Sequence, residues 1–496
     1  MIAKPPEVKL PRGGKTVPAF VAGSISKIGQ VNRLRLQQSA MHAHLVIHKS
    51  GRSARLSPAD MHANKPTRVR HISDTNHTPH FPLASPPPNP QFGRMKIRLP
   101  VLFIIITVAM DSIGIGLMMP VMPDLIQQIT GQTVSEAAVW GGMMAFTYAG
   151  MQFLFGPTIG NLSDRFGRRP VLLTSLVIMS ISYLIFAQAQ VIWLLFVARA
   201  ITGITGATFA TANAYMADIT SAEKRAASFG MVGAAFGVGF VIGPAIGGVL
   251  GQFGPRAPFY VAATVAALNA CFGYFFLPET LAKDKRRPFS LARINPFTAL
   301  MRLRLVPEIG ALALVFFLFT VGQNVYPSVW AYFTTEKFGF DSRMIGISLA
   351  IFGLCMALAQ GGLIRLVIPR FGEWNTAKAA LALNAIVLVI TGFISSTLWL
   401  FLLMPVMALG VIASPALQGM MSKATAAENQ GELQGVLASV QGLAMILSPL
   451  LMTSLFRTFT SETTPVYLPG APFIAASFLC LIALVILVFS RTKPIS

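Results

Sequence analysis

Apolar stretches of about 20 residues recur along most of the chain, separated by short polar breaks. A helix of about 20 residues crosses a hydrocarbon core of roughly 30 Å. In lipid the backbone must satisfy its own hydrogen bonds, and the stretches lack the alternation of barrel strands, so we expect helices. The pattern predicts twelve spans, at residues 99–121, 137–158, 171–189, 191–213, 226–250, 257–277, 308–333, 344–366, 375–396, 398–420, 433–456 and 467–490.

The composition supports a membrane protein. Hydrophobic residues make up 54% of the 496 residues and charged residues 11%, whereas soluble domains carry roughly 25% charged residues. The three cysteines, Cys271, Cys355 and Cys480, lie inside apolar stretches, where a thiol behaves as a small hydrophobic group. Their spacing predicts neither a disulfide framework nor a zinc site.

The first 94 residues differ from the rest of the chain. They hold 14 Lys and Arg against 3 Asp and Glu, and they contain all 7 histidines. Such a segment buries too little apolar surface to offset the entropy of ordering, so we expect it to be disordered. Three origins remain open: a start codon assigned upstream of Met95, a cytoplasmic tail, or a basic organelle transit peptide.

Basic residues outside this leader predict the orientation. With both termini inside, 20 Lys and Arg fall in cytoplasmic segments and 4 in the opposite loops, as the positive-inside rule requires. We therefore expect a multi-pass inner-membrane protein with both termini in the cytoplasm. Because the bases follow these loops rather than one patch, no nucleic-acid partner is expected.

The longest break in the body, residues 278–307, carries seven bases and separates two sets of six spans. The predicted domains are a six-helix bundle at residues 95–277, a cytoplasmic linker at 278–307 and a second six-helix bundle at 308–496. This layout is typical of transporters in which two halves rock about a site at the bilayer midplane.

Two ionisable residues lie deep within the spans, Asp111 in the first and Arg199 in the fourth. Such a residue costs about 2.5–3.5 kcal/mol at the membrane centre, so it indicates a functional role. A carboxyl group that carries a proton inward draws about 2.3 kcal/mol per 100 mV from the membrane potential. The alternative is that Asp111 only hydrogen-bonds a neighbouring helix.

The spans offer little for catalysis. Residues 95–496 contain no histidine for a Ser–His pair and no second deep acid for a paired-aspartate protease. We therefore expect no enzymatic activity, no cofactor and no metal site.

The string Gly-Asn-Leu-Ser-Asp-Arg-Phe-Gly-Arg-Arg-Pro at residues 160–170 predicts a tight cytoplasmic turn. Glycines allow the turn, the aspartate can face a helix N-terminus or an arginine, and the arginines hold the turn inside. The string resembles the signature loop between the second and third helices of the major facilitator superfamily. Its candidate gating residues are Gly160, Asp164, Arg165, Gly167, Arg168 and Arg169.

A second string, Gly-Phe-Val-Ile-Gly-Pro-Ala-Ile-Gly-Gly at residues 239–248, lies in the fifth span. Small residues let helices approach, and the proline removes one backbone donor, although ordinary glycine-rich packing is the alternative. The string resembles the motif of proton-coupled exporters in the superfamily, which importers generally lack. Its residues are Gly239, Gly243, Pro244, Gly247 and Gly248.

Residues 99–490 resemble the twelve-helix tetracycline efflux transporters. The resemblance is carried by the segments 110–120, 163–173, 203–208, 217–218, 258–259, 278–280 and 415–419. It implies two six-helix bundles in an all-α polytopic fold. The roles it implies are proton coupling for Asp111 and Arg199, a substrate pocket at Gln152, Gln360 and Asn384, and an interior charge pair of Arg199 with Asp218.

The chain departs from the classical tetracycline pumps at three positions. Ser182 and Asn384 stand where the resemblance implies further membrane acids, and Met356 stands where it implies a histidine. Fewer acids give fewer ways to bind a cationic metal–drug chelate. The expected substrate is a small amphipathic drug-like compound, for which tetracycline is one candidate, arriving free or as a metal chelate.

These observations predict a proton-coupled exporter that works by alternating access. The proton gradient would drive it, the lipid bilayer would surround it, and no obligate protein partner is implied. Two alternatives remain open: a metabolite importer or facilitator of the same superfamily, and a non-transporting membrane receptor built on the same fold.

Overall fold

A computed structural model describes residues 99–206, 208–221, 224–289, 295, 309–426 and 429–490. The leader, Met95 and the greater part of the linker beyond residue 289 lie outside these residues, and so do the predictions made for them. The described residues form helices and connecting turns, with no strand among them.

Twelve membrane crossings follow from the helices of this part of the chain. Ten helices are long and apolar enough to cross a membrane. One of them, Ser342–Phe393, has 52 residues and would be roughly 78 Å long at 1.5 Å per residue. Its backbone leaves the helical conformation at Gly372, where φ is 74°, so it makes two crossings. The helix Val134–Phe166, of 33 residues, makes the twelfth.

The crossings are numbered here as spans 1 to 12. They are Leu99–Met118, Val134–Phe166, Arg168–Gln188, Ile192–Ile219, Arg225–Gly251, Ala257–Phe276, Gly310–Phe338, residues 342–371, residues 373–393, Thr397–Ala424, Gln430–Thr460 and Ala471–Phe489. A short helix, Met122–Thr130, connects spans 1 and 2.

Four spans are not single regular helices. Span 4 consists of Ile192–Thr205 and Thr208–Ile219, span 7 of Gly310–Gln323 and Val325–Phe338, and span 10 of Thr397–Gly410 and Ala413–Ala424. Span 8 contains a π-helical turn at Ala359–Leu363 after the helix Ser342–Leu358. Such interruptions free backbone groups inside the membrane, which proteins tolerate where the segment lines a cavity or a packed interior.

Span 2 is longer at both ends than the predicted 137–158. Its N-terminus is set by Thr133, whose hydroxyl accepts a hydrogen bond from the Glu136 N–H at 3.4 Å. The spacing Thr-x-x-Glu is that of a capping box. At the other end the helix continues to Phe166, past Pro157, which removes one backbone donor but does not end the helix.

The two halves, spans 1–6 and spans 7–12, meet on the side away from Gly167. There the Thr460 hydroxyl donates to the Ser135 hydroxyl at 2.8 Å, and the Ser342 hydroxyl donates to the Asp124 carboxylate at 2.6 Å. These bonds join span 11 to span 2, and the start of span 8 to the short helix after span 1. The halves are therefore closed together on this side.

Toward the Gly167 side the halves separate. On span 8, Gly346 and Gly353 both face span 5 closely, whereas Gln360, seven residues further on the same face, is exposed. On span 2, a Cβ added at Gly142 would meet span 11, whereas one added at Gly160 would meet nothing within 4 Å. The structure is thus open on the side of Gly167, which is the predicted cytoplasmic side.

Candidate functional site

The two deep charges are Asp111 of span 1 and Arg199 of span 4. The Arg199 guanidinium lies between two aromatic rings, 5.7 Å from the centroid of Tyr148 and 5.5 Å from that of Phe186. Cation–π attraction of this kind stabilises a charge that has lost its water. Among the described residues, no ion pair within 4.0 Å involves either Asp111 or Arg199.

Three tyrosines join these two charges into one cluster. Tyr148 is a neighbour of both Asp111 and Arg199, and Tyr183 and Tyr332 also lie near Arg199. Tyr332 belongs to span 7, so the second half contributes to a charged centre that otherwise lies in the first. The sequence alone could have indicated these three tyrosines as candidate site residues. The whole chain has 8 tyrosines, and these three lie deep within apolar spans.

The three predicted pocket residues have different surroundings. The Gln152 amide donates to the Gly206 carbonyl at 3.0 Å and to the Tyr148 hydroxyl at 3.4 Å, which places it beside the charged cluster. Gln360 is exposed in the π-helical turn of span 8, and π turns of this kind are frequent at functional sites.

Asn384 does not line an open pocket. It is 0% exposed, and its side-chain amide donates to the Gln323 side-chain oxygen Oε1 at 3.3 Å and to the Cys480 sulfur at 3.2 Å. The reason is its position on span 9, which packs between spans 10 and 12 rather than against the space between the halves. The prediction that Asn384 is a pocket residue is wrong for this conformation.

The signature string forms a one-residue turn rather than a loop. Span 2 continues through Asp164 and Arg165 to Phe166, and span 3 begins at Arg168. Gly167 alone makes the turn, with φ at 109°, in the region that favours glycine. The prediction that Gly160 also serves the turn is wrong, because Gly160 lies within the regular helix.

Arg168 is the centre of an ionic network at this turn. Its guanidinium pairs with Asp164 at 2.7 Å and with Asp218 at 3.3 Å, and it donates to the Ser163 hydroxyl at 2.8 Å. Its side chain is only 12% exposed, so these partners replace water. The network joins span 3 to the ends of spans 2 and 4.

The predicted pair of Arg199 with Asp218 is therefore wrong. Both residues belong to span 4, but 19 positions apart, which is roughly 28 Å along a helix. Arg199 lies near the outer part of the span among aromatic rings, while Asp218 is next to the last residue and binds Arg168.

The other two arginines of the signature string contact aromatic side chains. The Arg165 guanidinium lies 5.1 Å from the Phe166 ring centroid, and that of Arg169 lies 5.7 Å from the Tyr274 ring. Arg169 also donates to the Tyr274 carbonyl at 2.5 Å. Arginine and aromatic side chains in this arrangement are typical of the membrane–water interface.

The second half has an equivalent turn and ion pair, in which the acidic and basic residues have exchanged places. Span 9 begins after Gly372, as span 3 begins after Gly167, and the next residue is Glu373 in place of Arg168. Its partner is Lys423, next to the last residue of span 10, with Nζ 2.7 Å from the carboxylate. Asp218 has the equivalent place in span 4.

The glycines of span 5 face two different neighbours. Gly239, Gly243 and Gly247 lie against the backbone of span 1 at Ala109, Ile113 and Leu117 respectively. These positions advance by four residues on both helices, so the two helices run side by side along a continuous seam. A Cβ at Gly243 would lie 2.7 Å from the Ile113 carbonyl oxygen.

Gly248 instead faces the second half. A Cβ there would lie 2.6 Å from the Ser342 carbonyl oxygen and 3.0 Å from the Gly346 Cα of span 8. Pro244 shares both interfaces, since its ring abuts Gly116 of span 1 and its carbonyl abuts Gly346. The motif thus holds span 1 within the first half and closes the two halves against each other.

Comparison with known proteins agrees with this architecture. The family model of the Major Facilitator Superfamily matches residues 104–449 and also 312–496. The tetracycline resistance protein of class C from Escherichia coli is 42% identical over 367 residues, covering 74% of this chain and 92% of that protein. The class E protein of the same organism is 37% identical and covers 78% and 94%.

Solved structures show the same fold. The crystal structure of a human organic anion transporter matches with a TM-score of 0.59 and 25% identity, covering 79% of this chain and 99% of that one. The fold, the matched family model and the extent of identity to the resistance proteins lead to one conclusion. This chain is a multi-pass membrane protein of the major facilitator superfamily and belongs there to the group of the tetracycline resistance proteins.

Proposed function

We propose that this protein exports an amphipathic, tetracycline-like drug from the cell in exchange for protons. It works by alternating access between its two halves and is a transporter, not an enzyme. The observation that carries the proposal is the cluster of the two deep charges, Asp111 and Arg199, which share Tyr148 as a neighbour within the spans. The resistance proteins to which the chain is 33–42% identical support the choice of drug.

Asp111 is the proton carrier in this proposal. No cation lies within 4.0 Å of it among the described residues, so no ion pair holds the carboxylate in its charged form. Arg199 acts through Tyr148, and its aromatic surroundings keep a positive charge near the carboxylate without neutralising it. Binding of a drug beside this cluster would then compete with binding of the proton, which is what exchange requires.

The rest of the arrangement follows from the charge distribution. Both termini lie in the cytoplasm, the signature turn faces the cytoplasm, and the open side admits substrate from there. The working protein needs no cofactor, no nucleic acid and no obligate protein partner, and it takes its energy from the proton gradient. The drug arrives free or as a metal chelate.

The test uses everted membrane vesicles that contain the full chain. After the lumen is acidified, addition of tetracycline should release protons from it, and Asp111→Asn should abolish the release. The matched control is Asp341→Asn, which makes the same change at the cap of span 8, where asparagine caps as well as aspartate does. Full proton release by Asp111→Asn would refute the coupling role.

Drug accumulation in cells separates the alternatives. An exporter lowers the steady-state level of tetracycline, an importer raises the level of its substrate, and a non-transporting receptor changes neither. The glycine–proline motif in span 5, packed against both span 1 and span 8, favours the exporter, since the resemblance associates that motif with antiport.

A further inference from the structure

The segment that follows span 6 is bound to the signature turn. The Glu279 carboxylate accepts hydrogen bonds from the backbone N–H groups of Arg168, at 2.9 Å, and Arg169, at 3.2 Å. These are the first two residues of span 3, whose cap residue Gly167 has no side chain to offer. The first N–H groups of a helix lack partners within it, and a carboxylate is well placed there. Glu279 therefore caps span 3 from another part of the chain.

The same carboxylate also orders its own segment. It accepts from the N–H groups of Thr280 at 3.0 Å and Leu281 at 2.9 Å, so four backbone donors converge on one side chain. Charge-assisted hydrogen bonds of this kind are stronger than neutral ones. A Cβ at Gly167 would overlap the Glu279 carboxylate, which explains why the turn residue must be small as well as conformationally free.

Further bonds tie this segment to both acids of the Arg168 network. The Thr280 hydroxyl donates to Asp218 Oδ2 at 3.2 Å, the oxygen that also pairs with the Arg168 guanidinium. The Arg287 N–H donates to the Asp164 carbonyl at 3.1 Å. The start of the linker is thus bonded to each of the three elements that meet at Arg168.

We propose that Glu279 and Thr280 are positioning residues of the gate: they hold Arg168 between Asp164 and Asp218 and connect that network to the linker. The proposal rests on the proposed function. The linker is the covalent connection between the halves, so a movement of the second half reaches the network through the residues that anchor it. The hydrogen bonds of both side chains go to the turn, to Asp218 and to their own segment, not to Asp111, Arg199 or Tyr148.

A positioning role predicts a kinetic effect that a cap alone would not produce. If Glu279 only stabilised span 3, its loss would lower the melting temperature and leave the turnover of the surviving protein unchanged. If it positions Arg168, turnover falls while the affinity for drug stays the same, because the binding space is remote from the turn.

The experiment measures drug-driven proton release in everted vesicles over a series of drug concentrations, with the melting temperature of each purified variant. Glu279→Gln keeps the shape but loses the charge, and we expect kcat to fall about tenfold with KM within about twofold of the unmodified chain. Thr280→Val should lower kcat about threefold, and Thr280→Ser, which restores the hydroxyl, should recover it. The control Thr464→Val removes a hydroxyl that donates to the Val466 carbonyl in a distant loop, and it should leave both kcat and KM unchanged.

The proposal is overturned if Glu279→Gln keeps its kcat, if only its melting temperature falls, or if Thr280→Ser is as slow as Thr280→Val.

A second readout does not depend on transport. With Cys271→Ser and Cys355→Ser as background, Phe166→Cys places a thiol beside the turn, and Glu279→Gln should change its rate of labelling about fivefold. An unchanged labelling rate contradicts the proposal. If the unmodified chain releases no protons, the proposed function fails, and the labelling result still decides the positioning role.

Discussion

Gly243→Ala should push span 1 away from span 5 and thereby displace Asp111. The added Cβ would lie 2.7 Å from the Ile113 carbonyl oxygen and 2.9 Å from the Gly116 Cα. Ordinary contact begins at 3.4 Å, so the two backbones must separate by about 0.7 Å, and no flexible side chain can absorb the strain. Overpacking of this kind costs about 1–3 kcal/mol.

The same displacement acts on the charged cluster, because Asp111 is two residues from Ile113 on span 1. A shift of this size at a reacting group lowers rates roughly tenfold or more. The measurements are drug-driven proton release in everted vesicles and the melting temperature in detergent. The rate of proton release and the melting temperature should both fall, because the strain and the displacement of Asp111 both come from the contact between the added Cβ and span 1.

The control for this prediction lies on the same helix. Gly237→Ala makes the same chemical change where a Cβ would meet nothing within 4 Å. Both variants gain the same helix propensity, about 1 kcal/mol over glycine, so the difference between them isolates the contact with span 1. Equal transport rates and equal melting temperatures for the two variants would show that the seam is not rigid, and the reasoning would be refuted.

Two further predictions concern contacts within and between the halves. Glu373→Lys and Lys423→Glu should each lower the drug resistance of cells about two- to fivefold. The Lys423 side chain is 72% exposed, and exposed ion pairs contribute about 0.2–1 kcal/mol. The double variant, which reverses both charges, should restore resistance, and its failure to do so would contradict the pairing. Ser342→Ala removes the bond to Asp124 and should speed amide hydrogen exchange in Met122–Thr130 about fivefold. Ser461→Ala, at an exposed loop hydroxyl, should leave that exchange unchanged.

The number of spans could be predicted because a physical length determines it. Every apolar stretch must cover the hydrocarbon core, and polar breaks mark where the chain leaves it. The ends could not be predicted as well, because hydropathy reports where lipid ends rather than where the helix ends. Span 2 continues in helical form to Phe166, through the charged Asp164 and Arg165.

The resemblance assigns roles to single residues but does not identify the partners of each residue. A resemblance names Arg199 and Asp218 without saying that they lie at opposite parts of one span, although their separation of 19 residues already made a direct contact impossible for a helix. It also gives no sign that span 9 is packed away from the cavity, which buries Asn384.

Glu279 shows a different limit. Capping residues are usually sought in the residues just before a helix, and Gly167 offers nothing there. The residue that caps span 3 is 111 positions away, so only the folded structure brings the two together. The sequence offered one indication of a role for Glu279, namely that this acid follows directly after the sixth apolar span.

The exchanged charges of the two turns affect how the open side can close. Asp218 and Lys423 have equivalent places, each next to the last residue of its helix, but opposite signs. With the same charge at both places, equivalent ends approaching across the opening would meet as like charges. Here each end is paired within its own half, Asp218 with Arg168 and Lys423 with Glu373, so the opposite signs remove a repulsion that would act only at close approach. Because salt screens charges separated by more than about 8 Å, salt in the cytoplasm will have little effect on the closure of that side.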